Sequence, residues 1–221
     1  MNLARNSEVR VLLDDVGFCQ KWQELFDSCA WGTVFQSCIF VKTWYSFYEN
    51  QFEPVLLTEY NEEGRLIGLM PLAIETETGR LCAAGCYHAE YQTWLATEEN
   101  GDAFIERAFE TLQQTFPSKK LQLLFLAPNT PLNWLKAKST LGRQSELRPH
   151  LRPLIDVGDG EKFDTSLKKK GNKSRIRQLR KIGELKLEKL ECGEEVEAVF
   201  DEIEDCMRLR LSALHNVLPA I

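Results

Sequence analysis

Several absences narrow the chemistry open to this 221-residue chain before any motif is read. No apolar run approaches the roughly 20 residues that a membrane-crossing helix needs, and the opening MNLARNSEVR lacks the apolar stretch of a signal peptide. Both absences predict a cytoplasmic protein with no membrane span. The seven cysteines, Cys19, Cys29, Cys38, Cys82, Cys86, Cys192 and Cys206, contain no CxxC pair and sit mostly among apolar neighbours. Reduced thiols packed as small hydrophobes fit that pattern better than a disulfide framework or a zinc site. Histidine is scarce: His88, His150 and His215 are the full set, and none adjoins a GxSxG elbow or an HExxH pair. No internal repeat or low-complexity linker interrupts the chain.

What is present is enough for a sizeable core. The hydrophobic share is 43% and the charged share 27%, ordinary values for a globular protein. The length allows one large domain or two small ones.

Periodicity predicts strands and helices interleaved throughout. Residues 8–13 (EVRVLL) alternate as a strand, and Asp14 or Asp15 then caps a helix with Phe18, Trp22, Leu25, Phe26 and Cys29 on one face. A second helix spans about 39–49, with Phe40, Trp44, Phe47 and Tyr48 at helical spacing. Residues 54–60 and 65–74 form a hairpin about the turn NEEG, with Pro71 marking a bulge or an edge. Strands are expected at 80–84 and 87–96, separated by Gly85, then an amphipathic helix at 101–116 ended by Pro117. A buried strand at 121–126, a helix from Asn129 or Thr130 to about 141, and a strand at 147–157 follow. Thr165 or Ser166 should cap a helix, broken near Gly171 and Asn172 and stopped by Gly183. A strand at 185–190 and a long helix at 194–214 complete the reading. A boundary is expected within 151–164, where Pro153 and two glycines cluster. The fold class is α/β or α+β with an antiparallel hairpin, not a regular βαβ repeat.

Charge is the least uniform property. The formal net charge is −6, yet KKKGNKSRIRQLRK at 168–181 holds eight basic residues and no acid. Ile176, Leu179 and Ile182 recur through it at near-helical spacing. The block reads as a solvated helix face, as a phosphate or carboxylate site using arginine's planar fork, or as a nucleic-acid surface. No aromatic residue lies between 166 and 193, so there is nothing for bases to stack on, and nucleic acid is disfavoured. A thin apolar face likewise disfavours a membrane-surface helix.

Two other motifs carry less. Gly171-Asn172-Lys173-Ser174 is unlike a phosphate-binding P-loop, because Asn172 replaces the glycine before the lysine and the upstream glycine is missing. Cys86, His88 and Glu90 alternate, which on a strand places three potential metal ligands on one face. With no second cluster to complete the coordination shell, an ordinary strand end is the expectation.

Four segments taken together resemble the GNAT-related acetyltransferases of the FemAB/CelD-like group. They are VFQS at 34–37 before the aromatic helix, GRLIGLMPL at 64–72, GCYHAEYQTWLA at 85–96, and SLKKKGNKSRIRQLRKIGELKLEKL at 166–190. The resemblance covers about 34–214 and implies a GNAT-like, mixed and largely antiparallel sheet flanked by helices. It implies a first GNAT-like lobe over residues 1–152 and, over 153–221, a basic helix, strand and long helix opening a second, incomplete lobe. The chain would then be the N-terminal portion of a longer protein or a truncated member. Thr93 stands where relatives often carry an acid, and the pyrophosphate loop of ordinary GNAT enzymes is absent.

The activity implied is N-acyl transfer, with acetyl-CoA as donor and an amine of a small or sugar-linked molecule as acceptor. Lys173, Arg175, Arg177 and Arg180 are the candidates for an anionic donor or substrate group, and Gln36 and Tyr91 for the acceptor side. No catalytic base is assigned and no metal is expected. The alternative is a non-catalytic GNAT-like module that binds a phosphorylated ligand or a protein partner.

Overall fold

A computed structural model describes residues 1–135, 145–150, 165, 168–184, 186, 190 and 192–215. The chain divides into two units, Met1–Leu151 and Arg152–Ile221. Among the described residues no helix is long and apolar enough to cross a membrane.

The first unit is mixed α/β, built on a mostly antiparallel open sheet flanked by helices. Strands β1 (Asn2–Arg5), β2 (Phe52–Tyr60), β3 (Leu66–Glu75) and β4 (Leu81–Ala83) pair in sequence order, each antiparallel to the last. The two-residue β5 (Leu95–Ala96) pairs with β3, and β6 (Leu121–Gln122) lies parallel to β4. Helices α1 (Ser7–Asp14), α2 (Val16–Ser28), α3 (Cys38–Phe47) and α4 (Gly101–Thr115) surround them. Nearly every residue of β2 and β3 is buried. Both faces are therefore covered, which explains why these strands read as continuous apolar runs.

Residues 8–13 are helical, not a strand. Val9 and Leu13 are buried four residues apart, while Val11 is 70% exposed. The alternation of Val9, Val11 and Leu13 fits a strand equally well, and pairing decides: Asn2–Arg5 already fills the sheet edge opposite Val55–Thr58. Asp15 caps α2 as expected, its carboxylate accepting from Gly17 N at 2.8 Å and Phe18 N at 3.3 Å. On α3 the buried aromatics are Trp44 and Tyr45, whereas Phe47 is 81% exposed.

Pro71 lies in the interior strand, with no bulge of its own; the irregularity falls at Glu59 and Tyr60. Its missing donor is tolerated because β3 meets two short strands on that edge. Leu72–Ile74 pair with β4 and Gly68–Leu69 with β5, so Pro71 falls in the gap, its carbonyl accepting from Ala84 N at 3.0 Å.

Residues 87–94 are not a strand, and the buried strand expected at 121–126 shrinks to Leu121–Gln122, partly exposed. In place of a ladder, Gln92 N donates to Leu124 O at 3.2 Å, and the Gln92 side-chain oxygen accepts from Leu124 N at 2.9 Å. Residues 147–150 are irregular. Of the helix expected from Asn129 or Thr130 to 141, residues 129–132 are not helical, Asn133–Leu135 form a 3-10 turn, and 136–141 lie outside the described residues, as do most of 147–157 and 185–190.

The second unit contains α5 (Lys170–Ile182) and α6 (Gly193–His215). Gly171 and Asn172 do not break α5; they form its first turn. Lys169, not Thr165 or Ser166, occupies the cap position and makes no side-chain capping bond. Gly183 ends the helix, its N–H bonded to Leu179 O at 3.3 Å.

Candidate functional site

Within the first unit the chemically richest surface is the loop 85–94 and the helix beside it. Gly85 has φ 90, and a Cβ there would meet Ala89 Cβ at 2.5 Å and Phe40 Cε1 at 3.0 Å. Only glycine serves that turn. Cys86 follows with φ 41, opening a 3-10 turn over Cys86–His88. Strained backbone of this kind persists where surrounding contacts over-determine it, and here they do. Arg80 Nη2 donates to Cys86 Sγ at 3.3 Å, and Arg80 Nη1 to Tyr87 Oη at 2.8 Å. The buried Gln92 amide donates to Cys86 O and accepts from Leu124 N at 2.9 Å. The turn removes Cys86, His88 and Glu90 from the shared strand face a metal site required. Among the described residues no cluster of three potential ligands forms.

Gln36 and Tyr91, separated by 55 positions, are brought together by a 2.9 Å bond from Gln36 Nε2 to Tyr91 O. The Gln36 oxygen accepts from Thr33 N at 3.2 Å and Thr33 Oγ1 at 2.8 Å. Trp22 Nε1 donates to Gln36 O at 2.8 Å. With 2% of its surface exposed, Gln36 holds the loop from below. Trp31 Nε1 to Trp94 O (2.7 Å) and Trp94 Nε1 to Gly101 O (3.1 Å) fix the far end of the same segment.

His88 was visible in the sequence, but its partners were not. Trp44 Nε1 donates to His88 Nδ1 at 3.2 Å, and Tyr48 Oη lies 3.1 Å from His88 Nε2. The Tyr48 and His88 rings stack at 4.7 Å. An indole nitrogen can only donate, so Nδ1 is the acceptor and the imidazole proton sits on Nε2, facing the Tyr48 oxygen. The Tyr48 hydroxyl proton is thereby turned away from the histidine. The exposed edge of this cluster presents Tyr48, Tyr87 and His88: aromatic faces with polar tips. The signal in the sequence was Trp44 and Tyr48 at i and i+4 on one helix; what linked them to His88 was the turn after Gly85.

The remaining candidates lie on α5. Lys173, Arg175, Arg177 and Arg180 are all exposed. At 3.6 residues per turn, Lys170, Lys173, Arg177 and Arg180 (steps of three, four and three) form one stripe about 15 Å long, and Arg175 falls roughly opposite. No acid occurs on the helix, and its first turn carries lysine where a negative charge would suit the dipole. Leu179 is 50% and Ile182 85% exposed.

A shallow cavity of about 270 Å³ lies elsewhere, between Lys21, Glu24, Glu63 and Arg65. Its charges are of both signs, and it includes none of the predicted residues. No protein-family model matches the chain, and no curated protein matches it.

Proposed function

We propose that this chain belongs to an N-acyltransferase of the GNAT-related, FemAB/CelD-like kind, moving an acetyl group from acetyl-CoA to an amine of a small or sugar-linked acceptor. The observation that carries the reading is the acid-free stripe of Lys170, Lys173, Arg177 and Arg180 on α5. Coenzyme A strings a diphosphate and a separate ribose phosphate along one molecule, and a row of cations one helical turn apart suits such a string. The uncapped first turn of α5 adds backbone N–H donors to the same anionic preference. A mostly antiparallel open sheet flanked by helices is also the architecture that the sequence resemblance implies.

In this reading the acceptor nitrogen, deprotonated, attacks the thioester carbonyl. The carbonyl oxygen gathers charge that a positioned donor must meet, and the CoA thiolate leaves as the amide forms. Lys173, Arg177 and Arg180 grip the donor's phosphates. Tyr91 and the loop 85–94 belong to the acceptor side, and Gln36 contributes by fixing that loop.

A second reading, a non-catalytic GNAT-like module binding a phosphorylated ligand or a protein partner, is favoured by one observation. Both ring nitrogens of His88 are held by Trp44 and Tyr48, which leaves this imidazole no lone pair for an incoming amine. Calorimetry with acetyl-CoA, followed by acetyl transfer to a panel of amino sugars, separates the two. Binding with transfer supports the enzyme, binding without transfer supports the module, and no binding at millimolar acetyl-CoA rejects the acetyltransferase.

A further inference from the structure

Two of the seven cysteines meet in space although nineteen positions separate them. Cys38 Sγ lies 3.3 Å from Cys19 Sγ, and Cys19 Sγ in turn donates to Leu13 O at 3.3 Å. Each thiol stands in the first turns of its helix, Cys19 in α2 and Cys38 as the first residue of α3. Lys42, one turn further along α3, donates to the same Leu13 carbonyl at 2.8 Å. For Cys38, burial and the neighbouring Cys19 raise the thiol, and the Lys42 ammonium is the one influence that lowers it. Both thiols are free in this structure.

We propose that Cys19 and Cys38 are an oxidant-responsive dithiol that closes to a disulfide when the chain meets hydrogen peroxide. Cys19 is half-buried and Cys38 buried, so the peroxide reaches Cys19 first. Burial, with the neighbouring Cys19, holds the Cys38 thiol up at about 12, which keeps it protonated while Cys19 reacts.

The Cys19 thiol gives up its proton and its sulfur attacks one peroxide oxygen. The O–O bond breaks, an S–O bond forms, and the departing hydroxide takes up a proton as water, leaving a sulfenic acid on Cys19. The Cys38 sulfur then attacks the Cys19 sulfur. The S–O bond breaks, the S–S bond forms, and the hydroxyl leaves with the Cys38 proton as a second water. Two thiols and one peroxide thus become one disulfide and two waters, with the two electrons passing from sulfur to oxygen. The two sulfurs start 3.3 Å apart, and the bond brings them to about 2.05 Å. The bond ties α2 to α3 around the turn that carries Thr33 and Gln36, and so it clamps the support of the loop 85–94.

The test uses the full chain with the exposed Cys192 and Cys206 changed to serine, treated with hydrogen peroxide. Cysteines are then alkylated and mapped without reduction by chymotrypsin, which separates Cys38 from Cys29. The expected product is a Cys19–Cys38 crosslinked peptide lighter by two hydrogens, reversed by dithiothreitol and accompanied by a higher denaturation midpoint. With Cys38→Ser added, dimedone should capture a persistent sulfenic acid at Cys19; with Cys19→Ser, no crosslink and no captured sulfenic acid at Cys38 should appear. Full alkylation of both residues after peroxide, a Cys82–Cys86 crosslink forming first, or a Cys38→Ser chain inert to dimedone would overturn the proposal.

Discussion

The side-chain amide of Gln36 donates to the backbone carbonyl of Tyr91 at 2.9 Å while its oxygen accepts from both the N–H and the hydroxyl of Thr33. One buried residue thus joins the turn before α3 to a loop more than fifty positions away. Gln36→Ala removes three hydrogen bonds, those from Thr33 N and Thr33 Oγ1 and the one to Tyr91 O. At about 0.5–1.5 kcal/mol for each bond, the expected loss is about 2–4 kcal/mol in urea denaturation. Faster amide exchange around Tyr91 should accompany it. A midpoint unchanged from the parent would show that Gln36 supports nothing and serves only a ligand.

Gly68 faces Phe104 across the interface between β3 and α4. A Cβ at Gly68 would lie 2.1 Å from Phe104 Cδ2 and 2.5 Å from Cε2, and Phe104 is fully buried. Gly68→Ala should therefore cost about 1–3 kcal/mol, the usual range for overpacking. Combining it with Phe104→Leu should cost less than the two single changes added together, because the smaller ring position makes room. Strict additivity in denaturation experiments would contradict the contact.

Glu59, on β2 and paired with Gly68, has its carboxylate held by Arg107 Nε at 2.7 Å, Arg107 Nη2 at 2.8 Å and Asn100 Nδ2 at 3.0 Å. Burial pushes this carboxyl up, but the bonds from Arg107 and Asn100 outweigh burial and hold it below its ordinary 4.5. A depressed folded-state value means that the unfolded chain takes up the proton first as pH falls. The stabilisation is complete well above pH 4.5 and disappears as pH drops through the lower folded-state value. Glu59→Gln should lower stability at pH 7 and flatten the acid limb of the profile below pH 4.5. Parallel profiles for the two proteins would refute the assignment.

The cations of α5 should not be equivalent. Arg177 and Arg180 share the stripe with Lys173, and Arg175 does not. Arg177→Ser and Arg180→Ser should each weaken acetyl-CoA binding about tenfold, the loss of one charge-assisted contact. Arg175→Ser should stay within about twofold, and the stripe variants should lose salt dependence. Equal losses at all three positions, read by calorimetry, would mean that the block acts as diffuse charge.

Legibility differed sharply between segments, and for reasons that can be named. The hairpin of β2 and β3, the Asp15 cap and the α4 helix were legible because their signals are local. An Asx cap, a turn between apolar runs and a repeat of 3.6 residues each need only neighbours in sequence. Residues 8–13 and 87–94 were misread because their alternation is compatible with two conformations, and what chose between them was distant. The edge position was filled by Asn2–Arg5, and the loop after Gly85 was held by Gln92 and Gln36 at its backbone and by Arg80 at the side chains of Cys86 and Tyr87. Pro71 misled for the same reason, since its tolerance depends on two separate strands meeting β3.

For the site the division is similar. The sequence by itself determined that one helix concentrates positive charge without an acid, because composition and helical spacing are properties of a single segment. It also singled out Gln36 and Tyr91 as separate residues. Only the tertiary structure joined them by a hydrogen bond, set His88 between Trp44 and Tyr48, and brought Cys19 against Cys38. Each of those contacts links residues nineteen or more positions apart. Such pairings arise when apolar faces are buried against one another and bring along the polar groups that lie beside them. No local pattern encodes that choice.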